Sequence, residues 1–199
     1  LRETADYETI KIISLSSSQN VSALRTLSIP EPALIILPKW EGRLSLFQRN
    51  WYQSVTLLPA DQLEGRVSRI IDNVTLTRAE GSQALSLNAL PSDAPEWFRP
   101  NVNGGLQLIS APQLEVIVGN EDGALFAKLP GRDVYVMSDP DILNTQGMQH
   151  RDHIEFAAHS MLHIDHLGRY STLSFDATVH GFIKERNIYK RIFEPPLVG

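Results

Sequence analysis

The segment from Asp133 to Asp176 constrains the fold most, because it has the pattern of one strand–helix–strand unit. Asp133-Val134-Tyr135-Val136-Met137-Ser138 is short, β-branched and aromatic, and it ends in Asp139-Pro140-Asp141. That is the composition of a strand closed by a turn. Residues 151–166 then place Ile154, Ala157, Ala158, Met161 and Leu162 on one side of a helix. Tyr170-Ser171-Thr172-Leu173-Ser174-Phe175 is a second strand, ending in Asp176. Two strands joined through a helix run parallel in one sheet, with a right-handed crossover expected. An α/β class follows.

The first half of the chain has the same character. Residues 7–15 alternate roughly in polarity and predict a strand, and the Ser/Asn-rich stretch 16–20 leads into a short helical piece at 21–27. Ala33-Leu34-Ile35-Ile36-Leu37, closed by Pro38, is a continuous apolar run, which suits a parallel strand covered on both faces. A further strand is expected over 51–58. The spacing of Leu63, Val67, Ile70 and Ile71 predicts a helix over 60–71, with Asp61 near its positive end. Between 73 and 129 the pattern changes to short strands at 73–79, 83–88, 106–110, 114–118 and 124–128. Pro91 to Pro100 and Asn103-Gly104-Gly105 punctuate them. This middle is expected to be an antiparallel insertion or sheet extension.

Composition removes several function classes. With 199 residues, 42% hydrophobic and 21% charged, the chain is globular and buries roughly 70% of its extended surface. The net charge of -5 opposes a nucleic-acid partner, which needs a basic footprint to release counterions. The densest basic stretch is Lys184, Arg186, Lys190 and Arg191; it suits a solvated helix face, with phosphate or membrane-surface contact as the other reading. The absence of cysteine excludes disulfides, thiolate zinc sites and cysteine nucleophiles, and leaves the compartment open. No run reaches the roughly 18 apolar residues that cross a bilayer. The chain begins at Leu1 and stops at Gly199, so both ends are expected to be cut from a longer protein.

In parallel α/β sheets, ligands bind beyond the carboxyl ends of the strands. Asp139 and Asp176 stand at two such ends, expected on neighbouring parallel strands joined by one crossover, with Asp141, Asn144, His180 and Gly181 near them in sequence. Gathered in one crevice, these groups would suit a hydrated cation or a polyhydroxylated ligand. The competing reading is turn chemistry, since Asp and Asn side chains cap turns and helix starts. His159, His163 and His166 follow i, i+4, i+7 spacing opposite the expected apolar stripe. They form a wet histidine face rather than a metal site, because no glutamate base accompanies them. Gly-x-Ser-x-Gly, Walker-type and Gly-x-Gly-x-x-Gly signatures are all absent.

Val134-Tyr135-Val136-Met137-Ser138-Asp139-Pro140-Asp141-Ile142-Leu143-Asn144 resembles the "vlsDPDlltN" stretch of the domain of unknown function 4350 family. The likeness continues through Arg151-Asp152-His153-Ile154-Glu155-Phe156-Ala157 and Phe175-Asp176-Ala177-Thr178-Val179-His180-Gly181, and Leu34-Ile35-Ile36-Leu37-Pro38-Lys39-Trp40 fits the family's first apolar strand. It is specific over about 132–182 and looser over 1–60. His153 replaces the usual Asn, and Ala177 replaces the usual acid. The resemblance implies one domain over 1–199, with the β-rich insertion at about 73–129. It also implies a fold similar to the class I glutamine amidotransferases, a three-layer sandwich with a mostly parallel, flavodoxin-like sheet.

True amidotransferases need a catalytic cysteine, so the resemblance implies a non-catalytic relative without cofactor or metal. It further implies an extracytoplasmic, periplasmic-side domain of a bacterial membrane-anchored protein, tethered through helices outside this segment. The expected function is a binding or interaction module: a sensor, assembly factor or transport accessory. Its partners would be other membrane-associated proteins or a small polar ligand held by Asp139, Asp141, Asn144, Asp176, His180 and Gly181, with no nucleic acid. Two alternatives stay open. One is a carboxylate-dependent hydrolase using Asp139 and Asp176, which in glycoside hydrolysis must lie roughly 5–10 Å apart. The other is a scaffold with a vestigial crevice.

Overall fold

The computed structural model of the protein describes residues 8–15, 29–44, 52–87, 90, 96–165 and 170–175. The expected helical piece at 21–27, the basic run at 184–191, and His166, Asp176, His180 and Gly181 lie outside the described residues. Along the chain the elements are β1 (Glu8–Ser14), β2 (Ala33–Ile36), β3 (Trp40–Leu44), β4 (Tyr52–Leu57), α1 (Ala60–Val67), β5 (Thr75–Ala79), β6 (Leu85–Ser86), β7 (Trp97–Phe98), β8 (Leu106–Ser110), β9 (Glu115–Asn120), β10 (Gly123–Lys128), β11 (Val134–Met137), α2 (Arg151–Ile164) and β12 (Tyr170–Phe175), with 3-10 turns at Pro140–Ile142 and Gly147–Gln149.

Among the described residues, ten strands form one mixed sheet in the order β12-β1-β2-β11-β10-β9-β6-β7, with β8 pairing β10 and β5 pairing β8. The parallel part is β12, β1, β2 and β11. Everything beyond β11 is antiparallel. The antiparallel extension expected between 73 and 129 is therefore present. A mostly parallel sheet is not: among the described residues, three pairings of this sheet are parallel and six antiparallel. Short Gly-bounded strands favour hairpin-like pairing, so the middle of the chain outgrows the parallel core. β3 and β4 form a separate antiparallel pair.

The apolar runs of β2 and β11 are buried along their whole length, because alternate residues serve opposite faces. Leu34, Ile36, Tyr135 and Met137 join Ile10, Ile12, Phe156 and Ile164 in one core. Ala33, Ile35, Val134 and Val136 join Ile13, Leu63 and Val67 in the other. Among the described residues, one helix covers each core. α1 follows Pro59, carries Asp61 in its first turn and Arg66 in its last, and both charges suit the helix dipole.

α2 exists where expected, but it packs through a different face. Its buried residues are His153, Phe156, Ser160 and Ile164, whereas Ile154 and Leu162 are 46% and 55% exposed. The choice follows the largest side chain: Phe156 stacks on Phe98 with centroids 4.6 Å apart, and burying a Phe stabilises by about 1.5–3 kcal/mol. Of the polar members of that face, Ser160 is satisfied locally, its Oγ donating to the Phe156 carbonyl at 2.8 Å. The expected wet histidine face is corrected with it. His163 is half-buried, its ring edge-on to Phe126 and Tyr135.

Candidate functional site

Parallel registration decides what meets at the carboxyl ends of the central strands. Ala33 to Ile36 pair with Val134 to Met137, and the pairing continues as the Leu37 N–H donates to the Met137 carbonyl at 3.0 Å. The next residues of each strand, Pro38-Lys39-Trp40 and Ser138-Asp139-Pro140-Asp141, therefore leave the sheet side by side.

Lys39 is fully buried there, its ammonium 2.8 Å from Asp139 Oδ2 and 2.9 Å from Asp141 Oδ2. The Gln107 backbone N–H donates to Asp139 Oδ2 at 2.9 Å, and the Asp141 N–H donates to Asp139 Oδ1 at 2.9 Å, capping the 3-10 turn. Gln107 Nε2 donates to the Pro38 and Ser138 carbonyls, and Ser138 Oγ returns a bond to the Gln107 carbonyl. Arg78 holds Gln107 Oε1 from the other side. Burial pushes the Asp139 carboxyl above its ordinary range, against the pull of Lys39 and of the Gln107 and Asp141 amides. A dry carboxylate is unfavourable even when paired.

Asp141 lies one layer further out, its side chain 10% exposed. The Trp40 Nε1–H donates to Oδ1 at 2.8 Å, with Oδ2 at 3.1 Å, and Asn144 Nδ2 donates to Oδ1 at 2.9 Å. Asn144 Oδ1 accepts from the Gln146 and Gly147 N–H groups, which curls this segment over the turn. Gly147 is required by close approach, since a Cβ there would overlap the Asp141 carbonyl oxygen. Gly104, at φ 68°, lets the turn after Asn103 close on the Trp40 ring; an added Cβ would sit 3.1 Å from Trp40 Cη2.

A chain of crevices opens above this network. One of about 300 Å³ is lined by Trp40, Val55, Asn103, Asp141, Asn144 and Gln146. It shares Asn103, Asp141, Asn144 and Gln146 with a second of about 80 Å³ that adds Asn101, Val102, Gly147 and His150. Through Asn101 and Val102 the second adjoins a larger opening of about 660 Å³ beside Glu80, Arg99 and Gly105. Asp139 lines none of the three; it lies beneath them, fully buried.

The sequence-derived candidates thus separate. Asp141 and Asn144 meet at the crevice floor, Asp139 is its buried support, and Asp176, His180 and Gly181 fall outside the described residues. The expectation that Asp139 and Asp176 follow neighbouring strands is corrected. β11 and β12 belong to the same parallel set, but β1 and β2 stand between them. At about 4.8 Å per step the two strands are roughly 14 Å apart. The unit is a crossover that skips two positions.

Comparison with protein families, with curated proteins and with solved structures found no match. Among the described residues no group of three or more His, Asp or Glu is placed to hold a metal ion, and no helix is long and apolar enough to cross a membrane. Lys39, Trp40, Asn101, Asn103, Gln107, Gln146 and His150 belong to the site without having been singled out from the sequence. One signal pointed at the first: a charged residue directly after a strand buried on both faces must find a partner charge.

Proposed function

We propose that this is a non-catalytic binding module whose crevice above Asp141 takes a neutral, hydroxyl-rich ligand such as a short glycan. One observation carries the reading. Both Asp141 oxygens are engaged by Lys39, Trp40 and Asn144, so the carboxylate's acceptor positions are largely taken and it has little capacity left to hold a cation or a substrate proton donor. Around it, the exposed amides of Asn101, Asn103 and Gln146 make no side-chain hydrogen bond within the described residues. An amide both donates and accepts, as a hydroxyl does. Trp40 and Val55 add an apolar wall against which the C–H face of a sugar ring packs.

The same reading, joined to the resemblance of 132–182 to the domain of unknown function 4350 family, makes this an extracytoplasmic sensor or assembly domain of a membrane-anchored bacterial protein. It also favours a three-layer, amidotransferase-like sandwich, supported by a helix over each of the two cores.

The test is a ¹⁵N NMR titration with neutral oligosaccharides, following the Trp40 Nε1–H and the Asn103 side-chain amide. Saturable shifts of both, with none from inorganic phosphate or calcium, are expected. Absence of any saturable shift, or hydrolysis of the sugar that disappears in Asp141→Asn, overturns the reading.

A further inference from the structure

The wall shared by the smallest opening and the largest hangs on a histidine. His153, on the buried face of α2 and 1% exposed, accepts a hydrogen bond at Nε2 from the Asn101 backbone N–H at 3.0 Å. Asn101 and Val102 line both the crevice above Asp141 and the larger opening beside it. An imidazole nitrogen accepts only while it carries no proton. Protonation would turn Nε2 into a donor facing a donor, and the Asn101 N–H would have to leave.

We propose that neutral His153 is the positioning residue for the crevice wall at 99–103, and that proton uptake by its ring releases this wall and weakens the site as pH falls. The weakening of ligand rests on the binding reading above; the release of the wall does not. The ring is enclosed on every side. The His150 ring lies 5.2 Å away between centroids, and the Phe98 ring meets it edge-on at 5.6 Å. Asp152 on its own helix, and Asp141 with the Ile142 carbonyl from the 3-10 turn, face it from two further directions. Its Nδ1 is buried without a well-formed hydrogen bond.

Burial is the largest influence and disfavours the cation, and the His150 charge acts in the same sense. Asp152, the Ile142 carbonyl and Asp141 oppose them, leaving the ring below its ordinary value. A histidine depressed in the folded state contributes fully above its unfolded value of about 6.5, and that contribution is lost as pH falls through the folded value. The device therefore holds the wall while the ring is neutral and frees it as pH falls.

The test needs no ligand. Amide exchange, corrected for intrinsic rates, is followed from pH 7.5 to 4.5 together with the His153 ring proton shifts. Asn101 protection is expected to fall about tenfold per pH unit once the ring titrates, while the Leu37 amide, bonded to the Met137 carbonyl, stays flat. His153→Gln places an uncharged oxygen where Nε2 stood and should make Asn101 protection independent of pH. Flat Asn101 protection across the ring titration overturns the proposal. So does the same pH loss in His153→Gln, or a ring that stays neutral until the chain unfolds. Should oligosaccharides fail to bind while Asn101 is released as described, only the ligand reading falls.

Discussion

The site has two storeys, and they obey opposite rules. Below, Lys39, Asp139, Gln107 and Ser138 are dry, with their polar atoms engaged in one another. Above, Asn101, Asn103, Gln146 and His150 are exposed, with hydrogen-bonding capacity facing solvent. Asp141 joins the two, held from beneath by Lys39 and reaching the crevice at its edge. A buried charged group is a liability unless every partner is present, so the lower storey should govern stability. The upper storey has only water to lose, so it should govern recognition. Substitutions that follow this division sharpen it, and those that cross it break it.

The largest effect is expected at the bottom. Lys39→Met keeps most of the side-chain volume and removes the cation, leaving Asp139 and Asp141 buried without it. Breaking a buried pair from one side costs about 3–5 kcal/mol, read as a lower urea midpoint with an unchanged slope. The pH dependence has a definite sign. Asp139 is already raised by burial, and removing Lys39 raises it further. A raised carboxyl binds its proton more tightly folded than unfolded, so its contribution is greatest in acid and is lost as pH rises through the folded value. The variant should therefore recover part of its stability between about pH 7 and 4, and a deficit that stays constant over that range would argue against the ion pair.

The next effect tests the joint between the storeys. Trp40→Phe keeps an aromatic ring, though a smaller one, and deletes the Nε1–H that meets both Asp141 oxygens. A hydrogen bond to a charged group is worth about 1.5–3 kcal/mol, so the midpoint in urea should fall by less than in Lys39→Met. Equal losses would mean that Asp141 belongs wholly to the floor.

How much of this could be read from the chain follows from how local each feature is. The runs Ala33 to Leu37 and Val134 to Ser138 announced buried strands because β-branched apolar residues fit few other settings. Asp139 announced turn chemistry, and it does cap the turn after β11. The buried stripe of α2 is hard to read because His153 and Ser160 look polar in sequence, and what they bond to, Asn101 and the helix's own backbone, is not visible there. Lys39 stands out in sequence as a charge following a buried strand, but its partner does not, for a different reason. Its partner Asp139 is 100 positions away, and the registration of β2 on β11 that joins them is written in neither strand alone. For the same reason β12 was expected beside β11, whereas β1 and β2 fill the space between.

The smallest effect on stability should come with the clearest loss of binding. Asn103 is exposed in the turn that closes on Trp40, and its side chain makes no hydrogen bond within the described residues. Asn103→Ala removes nothing that the fold uses, so the urea midpoint should move by no more than about 0.5 kcal/mol equivalent. A bound hydroxyl would lose one or two hydrogen bonds at about 0.5–1.5 kcal/mol each, which corresponds to a Kd weaker by about twofold to about 150-fold. The two measurements belong on the same preparation, because only their ratio discriminates. A variant that weakens oligosaccharide binding while holding its midpoint places recognition in the upper storey. One that loses stability on the scale of Lys39→Met would show that the amides are structural after all, and the crevice would have no separate role left to assign.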